Sequence, residues 1–482
     1  MELQWNCSPC QYLQRQIWEV QNQEQTQEVR LNDAMPDMGR ILCAWGQPVL
    51  QSKEWRKDGI AVSGGVMVWV LYAPEEGSEP ECMEAWLPFQ GRWNLPQSET
   101  EGVIRTDVCL RSVDARMLSG RKMMIRVSVG MLAEALEPTR QELYTPETLP
   151  DGLQVLRKTY PAVLPKEAGE KLVNLEEQVD IPGGTPRKIL CCRVCPKMQE
   201  QNVVGSRAVF RGCCRVHLVY LNSEGRVCGY DTELPLAQYA DLNSDYDKDA
   251  TIGTMAAVSS VEPELGNEGV FLKCGLIVQY VVHDRQLVTV AEDLYSPWQA
   301  VTPVAQELRL PMVLEQTEQT LELPVPVVME AAKVVDACFM PDQPVLFRED
   351  GMLQGRMGGT WQMLYYDMEG NLNAATENYM GQWELPAGED VESFVFVESV
   401  DSDVTLRLES VAGQKLKMLT GAQLGDRREP DPGRPSLILR RCGDKSLWEL
   451  AKLCGSTVEG IMKTNQLTAE PEPGQILLIP VC

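Results

Sequence analysis

Histidine is nearly missing from this 482-residue chain, which has only His217 and His283. His-based catalytic triads and His-rich metal sites therefore have few candidates. Both histidines sit in strand-like runs and read as packed strand residues. Basic charge is also short, with 44 Lys and Arg against 69 Asp and Glu, a net charge of −25. That balance argues against nucleic-acid binding and against docking on anionic lipid. No apolar run approaches the roughly 20 residues that span a bilayer, so no membrane insertion is expected. The first residues, Met1-Glu-Leu-Gln-Trp-Asn-Cys7, lack a basic region followed by an apolar stretch. No export signal is read there, and the chain is expected to stay in the compartment where it is made. The motifs G-x-S-x-G, H-E-x-x-H, the Walker loop and a strand-linked G-x-G-x-x-G are missing too. The expectation is a non-enzymatic protein with no catalytic residues, no cofactor and no metal. A hydrolase using paired carboxylates is the enzyme alternative, with Glu75 and Glu76, Glu177 and Asp180, or Asp241, Asp245 and Asp247 as acids.

Cysteine, by contrast, is abundant, at 16. Cys7 and Cys10 form one C-x-x-C and Cys192 and Cys195 another, but they lie far apart for a shared zinc site. Cys213, Cys214 and Cys274 fall in apolar runs and read as small core residues. Asp241, Asn243, Asp245 and Asp247 alternate oxygens as a calcium loop does. They lack its mid-loop Gly and terminal Glu, so Asp241 to Asp249 reads as a solvated loop.

The chain repeats itself. Ile-Leu-Cys-Ala at 41, Ile-Leu-Cys-Cys at 189 and Val-Val-Asp-Ala at 334 are followed by Tyr72, Tyr220 and Tyr365, each five residues before Gly77, Gly225 and Gly370. The period is 148, then 145 (220 − 72 and 365 − 220). It is the size of a domain, not of a solenoid repeat. Within each unit, short Val-, Ile-, Leu- and Tyr-rich runs alternate with turn residues such as Asn222-Ser-Glu-Gly225. An antiparallel sandwich or open barrel is expected for each. Copies of one unit also offer several equivalent surfaces for binding. Prolines at 138, 146, 150, 161 and 165 suit an extended connection, and Pro311, Pro324 and Pro326 repeat that look. Gln11 to Arg30 reads as either a short helix or a first strand, and Val155 to Gly169 as a short helix or a strand.

The last fifty residues differ in kind. Asp444 and Ser446 are cap-type residues before Leu447, Leu450, Ala451 and Cys454, which recur at helical spacing up to Gly455. Ser456 or Thr457 caps a second short helix with Val458, Ile461 and Met462 on its apolar face. Leu437 to Arg440 and Gln475 to Ile479 read as flanking strands. The order is strand, helix, helix, strand.

This stretch resembles a LysM domain. Gly443, Asp444, Leu447, Trp448, Leu450, Ala451, Asn465, Pro473, Gly474, Gln475, Ile479 and Pro480 match the LysM pattern. With the repeats before it, the whole chain resembles the SipL-type spore coat morphogenetic proteins, which carry tandem SPOCS domains followed by one LysM domain. The resemblance implies a mainly β fold of three antiparallel β-sandwich-like repeats and a small α+β (βααβ) LysM domain. The expected boundaries are 1–150, 151–312 and a shorter 313–425 for the repeats, 426–435 for a Pro-rich linker and 436–482 for the LysM domain. The resemblance also implies a scaffold made on the mother-cell side, in the cytoplasm at the forespore or coat surface. Its expected partner is a coat morphogenetic ATPase of the basement layer, or N-acetylglucosamine polymers. LysM grooves lie between the loops that here are Gly443 to Leu447 and Gln466 to Glu472. The candidate partner- or glycan-binding residues are therefore Gly443, Asp444, Lys445, Ser446, Leu447, Asn465, Gln466, Leu467 and Thr468. A peptidoglycan- or chitin-binding wall protein is the alternative.

Overall fold

A computed structural model describes the chain except residues 1–3, 78, 96–99, 148, 267–268, 351, 386–391, 401–402 and 428–432. The described residues are mainly β, with two short helices near the C-terminus. The first group of strands is β1 (Trp5–Arg30), β2 (Met38–Arg56), β3 (Gly59–Pro74), β4 (Glu81–Asn94), β5 (Val103–Ser119) and β6 (Lys122–Pro146). It forms two antiparallel sheets, ordered β1-β6-β5 and β2-β3-β4. The second group is β7 (Gln154–Val179), β8 (Lys188–Leu221), β9 (Val227–Tyr246), β10 (Thr251–Leu265) and β11 (Val270–Tyr295). Its sheets run β10-β11-β7 and β8-β9. β8 turns back on itself around Gly205, at φ +60°. Accordingly, a Cβ on Gly212 would meet the Lys197 carbonyl oxygen at 2.1 Å. The third group is β12 (Gln299–Glu322), β13 (Ala331–Pro341), β14 (Val345–Glu349), β15 (Met352–Asp367), β16 (Leu372–Leu385), β17 (Glu392–Val400) and β18 (Asp403–Arg427). Its sheets run β12-β18-β17 and β13-β15-β14, with β16 also pairing β15.

Period-two patterning builds these layers. Met123, Ile125, Val127, Val129 and Met131 alternate along β6 and are all at most 1% exposed. They pack with Val62, Val66, Val68 and Val70 of β3, so both sheets of the first group share one core. The buried side chains make this the main stabilising term, at roughly 25 cal/mol per Å² of apolar area removed from water.

Several expectations need correction. The boundary at 312/313 falls inside β12, whose Gln299–Glu322 pairs as one strand with β18. The third group therefore starts at Gln299 and retains its last strands. The prolines misled because they sit where no neighbour needs their missing N–H. β7 and β12 are edge strands, and Pro161, Pro165 and Pro311 lie in them. Pro138 and Pro146 lie on β6 beyond Leu136, the last β6 residue paired to β5. So 138–146 and 154–165 are paired strand, not connection. Asp241 to Tyr246 is likewise the end of β9 rather than a loop, with Asn243 donating to Glu167 at 2.9 Å. Gln11 to Arg30 belongs to β1, and Val155 to Gly169 to β7. Of the Pro-rich linker at 426–435, residues 428–432 lie outside the described part.

The three groups close on one another as a ring. Cys82 of β4 donates to the Leu190 carbonyl of β8 at 3.0 Å. Gly229 of β9 sits so near β13 that a Cβ there would meet the Val335 carbonyl oxygen at 2.1 Å. Arg40 of β2 donates to the Leu372 carbonyl of β16 at 3.2 Å. Cys43, Cys191, Trp45, Val335 and Leu364 pack together at the centre. Arg193 pairs with Asp336 at 2.5 Å, and Trp45 Nε1 donates to the same carboxylate at 2.8 Å. Cys43, Cys191 and Asp336, which hold equivalent positions in the sequence period, therefore all face inward. The long outer ends of β1, β6, β7, β11, β12 and β18 run on together as a stalk. Cys10, Ala162, Leu164, Val288, Leu308 and Leu416 form its core.

Beyond the stalk come β19 (Leu437–Arg441), α1 (Leu447–Cys454), α2 (Val458–Asn465) and β20 (Ile476–Pro480). β19 and β20 pair antiparallel.

Candidate docking site

Local chemistry places each loop of the C-terminal unit. Ser446 caps α1 in a reciprocal box: its hydroxyl accepts from the Glu449 N–H, and the Glu449 carboxylate accepts from the Ser446 N–H at 2.9 Å. Those bonds hold the Glu449 carboxyl below its ordinary pKa. Gly455 ends α1 in the left-handed region at φ +63°. Thr457, not Ser456, caps α2. Gln466 follows at φ +55°, so the chain turns sharply out of α2.

The nine candidate residues divide by role. Leu447 is 2% exposed and belongs to the core with Leu450, Ala451, Ile461 and Ile479. Leu467 packs against that core. Asn465 is a staple. Its Nδ2 donates to the Ile461 and Leu478 carbonyls at 2.8 and 2.6 Å, and its Oδ1 accepts from the Leu478 N–H at 2.7 Å. Gly443, Asp444, Lys445, Ser446, Gln466 and Thr468 remain at the surface. The two loops are bridged by Glu470, whose carboxylate accepts from the Leu447 N–H at 2.9 Å. This acid sits across the space between the loops. Of the Ser446 and Thr468 hydroxyls at this surface, that of Ser446 is committed to capping α1.

Trp448, a motif residue outside the candidate set, is turned to the stalk. Its indole Nε1 donates to Asp293 at 2.9 Å, and Lys452 pairs with the same carboxylate at 2.7 Å. Burial alone would raise the Asp293 pKa, but Lys452 and Trp448 hold it below its ordinary value. Tyr295 stacks edge-on against Trp448 at 4.8 Å and donates to the Ser456 carbonyl at 3.0 Å. This docking contact left no trace in sequence, because Asp293, 155 residues upstream of Trp448, and Tyr295 lie at the end of a distant strand.

No family model, curated protein or solved structure matches the chain.

A second candidate lies at the ring's centre. A cavity of about 150 Å³ is lined from all three groups, by Pro48, Pro196 and Pro341 at equivalent positions and by Asp107, Arg193 and His217. Burial pushes the Asp107 carboxyl up to about 6. Arg193 is committed to Asp336, and His217 to Asp231 at 2.5 Å. None of the sixteen cysteines is in a disulfide. Cys10 and Cys192 pack in different cores, so the two C-x-x-C motifs share no site. Among the described residues, no cluster of three or more His, Cys, Asp or Glu is placed to hold a metal ion, and no helix is long and apolar enough to cross a membrane.

Proposed function

We propose that the chain is a non-enzymatic structural scaffold of spore coat or envelope assembly, with its C-terminal unit as a LysM-type docking module. The three strand groups are read as three tandem SPOCS-like β-sandwich domains, and 436–482 as the LysM domain. The observation that carries this reading is the common sheet order. β1-β6-β5, β7-β11-β10 and β12-β18-β17 each place the last strand of a group between its first and penultimate strands. A shared topology matching the 148- and 145-residue sequence period supports three copies of one domain, and the resemblance supplies what such copies do. The closed ring supports a rigid platform, which is what a scaffold requires. The C-terminal unit stands at the end of that platform, with the loops at 443–446 and 466–472 open to solvent.

The proposed partner is a basement-layer coat ATPase, met on the mother-cell side of the forespore surface. A glycan-binding wall protein is the second reading, favoured by the open space over Gly443, where an added Cβ would meet nothing within 4 Å. A pull-down from sporulating cells, comparing the full chain with one truncated after Gly433, separates them. Loss of a coat-assembly protein on truncation supports the scaffold. Unchanged protein partners, with N-acetylglucosamine oligomers retained only by the full chain, would overturn it in favour of the wall protein.

A further inference from the structure

The C-terminal sheet has an unfilled edge. The Val481 N–H donates to the Ser436 carbonyl at 3.0 Å, and the Cys442 N–H to the Gln475 carbonyl at 2.7 Å. Hydrogen-bonded pairs alternate along an antiparallel ladder. In the observed register, Ile438 and Arg440 therefore face β20, while Leu437, Leu439 and Arg441 turn their N–H and C=O groups away from it. No backbone partner for these three is found among the described residues. β20's own outer edge differs, because Asn465 takes both backbone groups of Leu478. The face beside the open edge is apolar, with Leu437 at 47%, Leu439 at 68% and Ile476 at 56% exposure. An open edge with apolar side chains is a template for an added strand.

A segment that fits this template lies at the other end of the molecule. Pro324-Val-Pro-Val-Val328 joins β12 to β13 and belongs to no sheet. Its prolines fix φ near −65° and push the residues before them into extended conformations. Val325 and Val327 alternate with those prolines, so the donors that Pro324 and Pro326 lack fall on the side a pairing strand does not use. Val327 is 89% exposed and the adjacent Met329 90%. β12, with 24 residues, separates this segment from the stalk end where the C-terminal unit docks. That is on the order of 70 Å of strand, so one chain cannot bring the two together. Charge favours the encounter between chains. Residues 434–482 hold six Lys and Arg against five Asp and Glu, leaving −26 (−25 minus +1) on residues 1–433. Arg440 and Arg441 lie on β19, and Glu330 follows the Val segment.

We propose that β19 of one copy pairs edge to edge with Pro324–Val328 of a second copy, so that the chain associates head to tail. The contact is heterologous, and it propagates unless its geometry closes a ring. It rests on the two edges and on the charge difference between them, and holds whichever functional reading is correct.

Sedimentation velocity of the full chain over a range of loading concentrations tests it. The expected result is growth beyond a dimer, weakening as salt rises. Leu439→Glu and Val327→Asp each change an exposed side chain and should each weaken association at least about tenfold. Circular dichroism and the monomer sedimentation coefficient check that both variants fold. Mixing the two variants should restore a dimer and nothing larger, because one retains a working β19 and the other a working Val segment. A chain that stays monomeric would overturn the proposal. So would a dimer abolished by Leu439→Glu and untouched by Val327→Asp, which would mean β19 pairs with its own copy.

Discussion

At the scale of residues, the strongest commitments are buried charges. Arg15 reaches Glu134 and Glu409, each at 2.7 Å, and Arg105 reaches Glu134 at 2.9 Å. Arg105 and Arg407 also donate to the Gly253 and Thr254 carbonyls. Charged side chains of the first and third groups thus share one cluster, to which the second group contributes backbone carbonyls. Burial penalises the Glu134 charge, but Arg105 and Arg15 more than offset this and hold its pKa low. For Glu409 burial prevails and the pKa is raised. His283 lies beside these groups, 3% exposed. Burial first, then Arg105 and Arg15, push its pKa down from 6.5 to about 3. The folded state therefore keeps His283 neutral while the unfolded chain takes up a proton below about pH 6.5. Stability from this group is present above that pH and is lost as pH falls toward 3, on the order of a few kcal/mol in all. His283→Gln is expected to flatten the fall in Tm between pH 6.5 and 4. An unchanged slope would place the acid sensitivity elsewhere.

Contacts between elements show why the ring closes. Gly229 is needed because β9 passes against the β13 backbone, where a Cβ would meet the Val335 oxygen at 2.1 Å. A backbone carbonyl cannot rotate away as a side chain can, so Gly229→Ala must part the two strands. A cost of about 1–3 kcal/mol is expected, read as a lower denaturation midpoint. Faster amide exchange should be confined to the β9–β13 contact. The stalk contact of α1 is smaller. Asp293→Ala leaves Trp448 Nε1 and Lys452 without their acceptor while the unit's own core stays intact. The expected outcome is a larger radius of gyration by solution scattering with an unchanged melt of the β-rich body. A fixed radius would mean that Tyr295 alone holds the unit in place.

For the whole molecule, three strand groups and a stalk make one body with a small docked unit at its end. The stalk exists because the outer halves of six strands outrun their sheets and bury Cys10, Leu164, Val290 and Met418 against one another. Each of the three groups buries apolar side chains against the other two. The C-terminal unit is held on the stalk through Asp293 and Tyr295, so under the proposed reading the pull-down above is best repeated with Asp293→Ala. Retained partners would show that docking to the stalk is not needed for capture.

What the sequence determined by itself is local. Period-two alternation, the turn at Asn222 to Gly225, the caps at Ser446 and Gly455 and the helical spacing of Leu447, Leu450, Ala451 and Cys454 all act within a few residues, and the structure forms these elements close to where they were read. Of the candidate site, Gly443, Asp444, Lys445 and Thr468 are at the surface, whereas Leu447 and Asn465 serve the unit's own fold. The tertiary structure decided the rest. Pro138, Pro161 and Pro311 look like linker residues until the free edge beside each is known. The Arg15–Glu134–Glu409 cluster, the ring through Leu190, Gly229 and Arg40, and the Trp448–Asp293 contact all join residues at least 106 apart. Periodicity carries no information at that range, because which faces meet is fixed by sheet geometry and by burial of the whole chain.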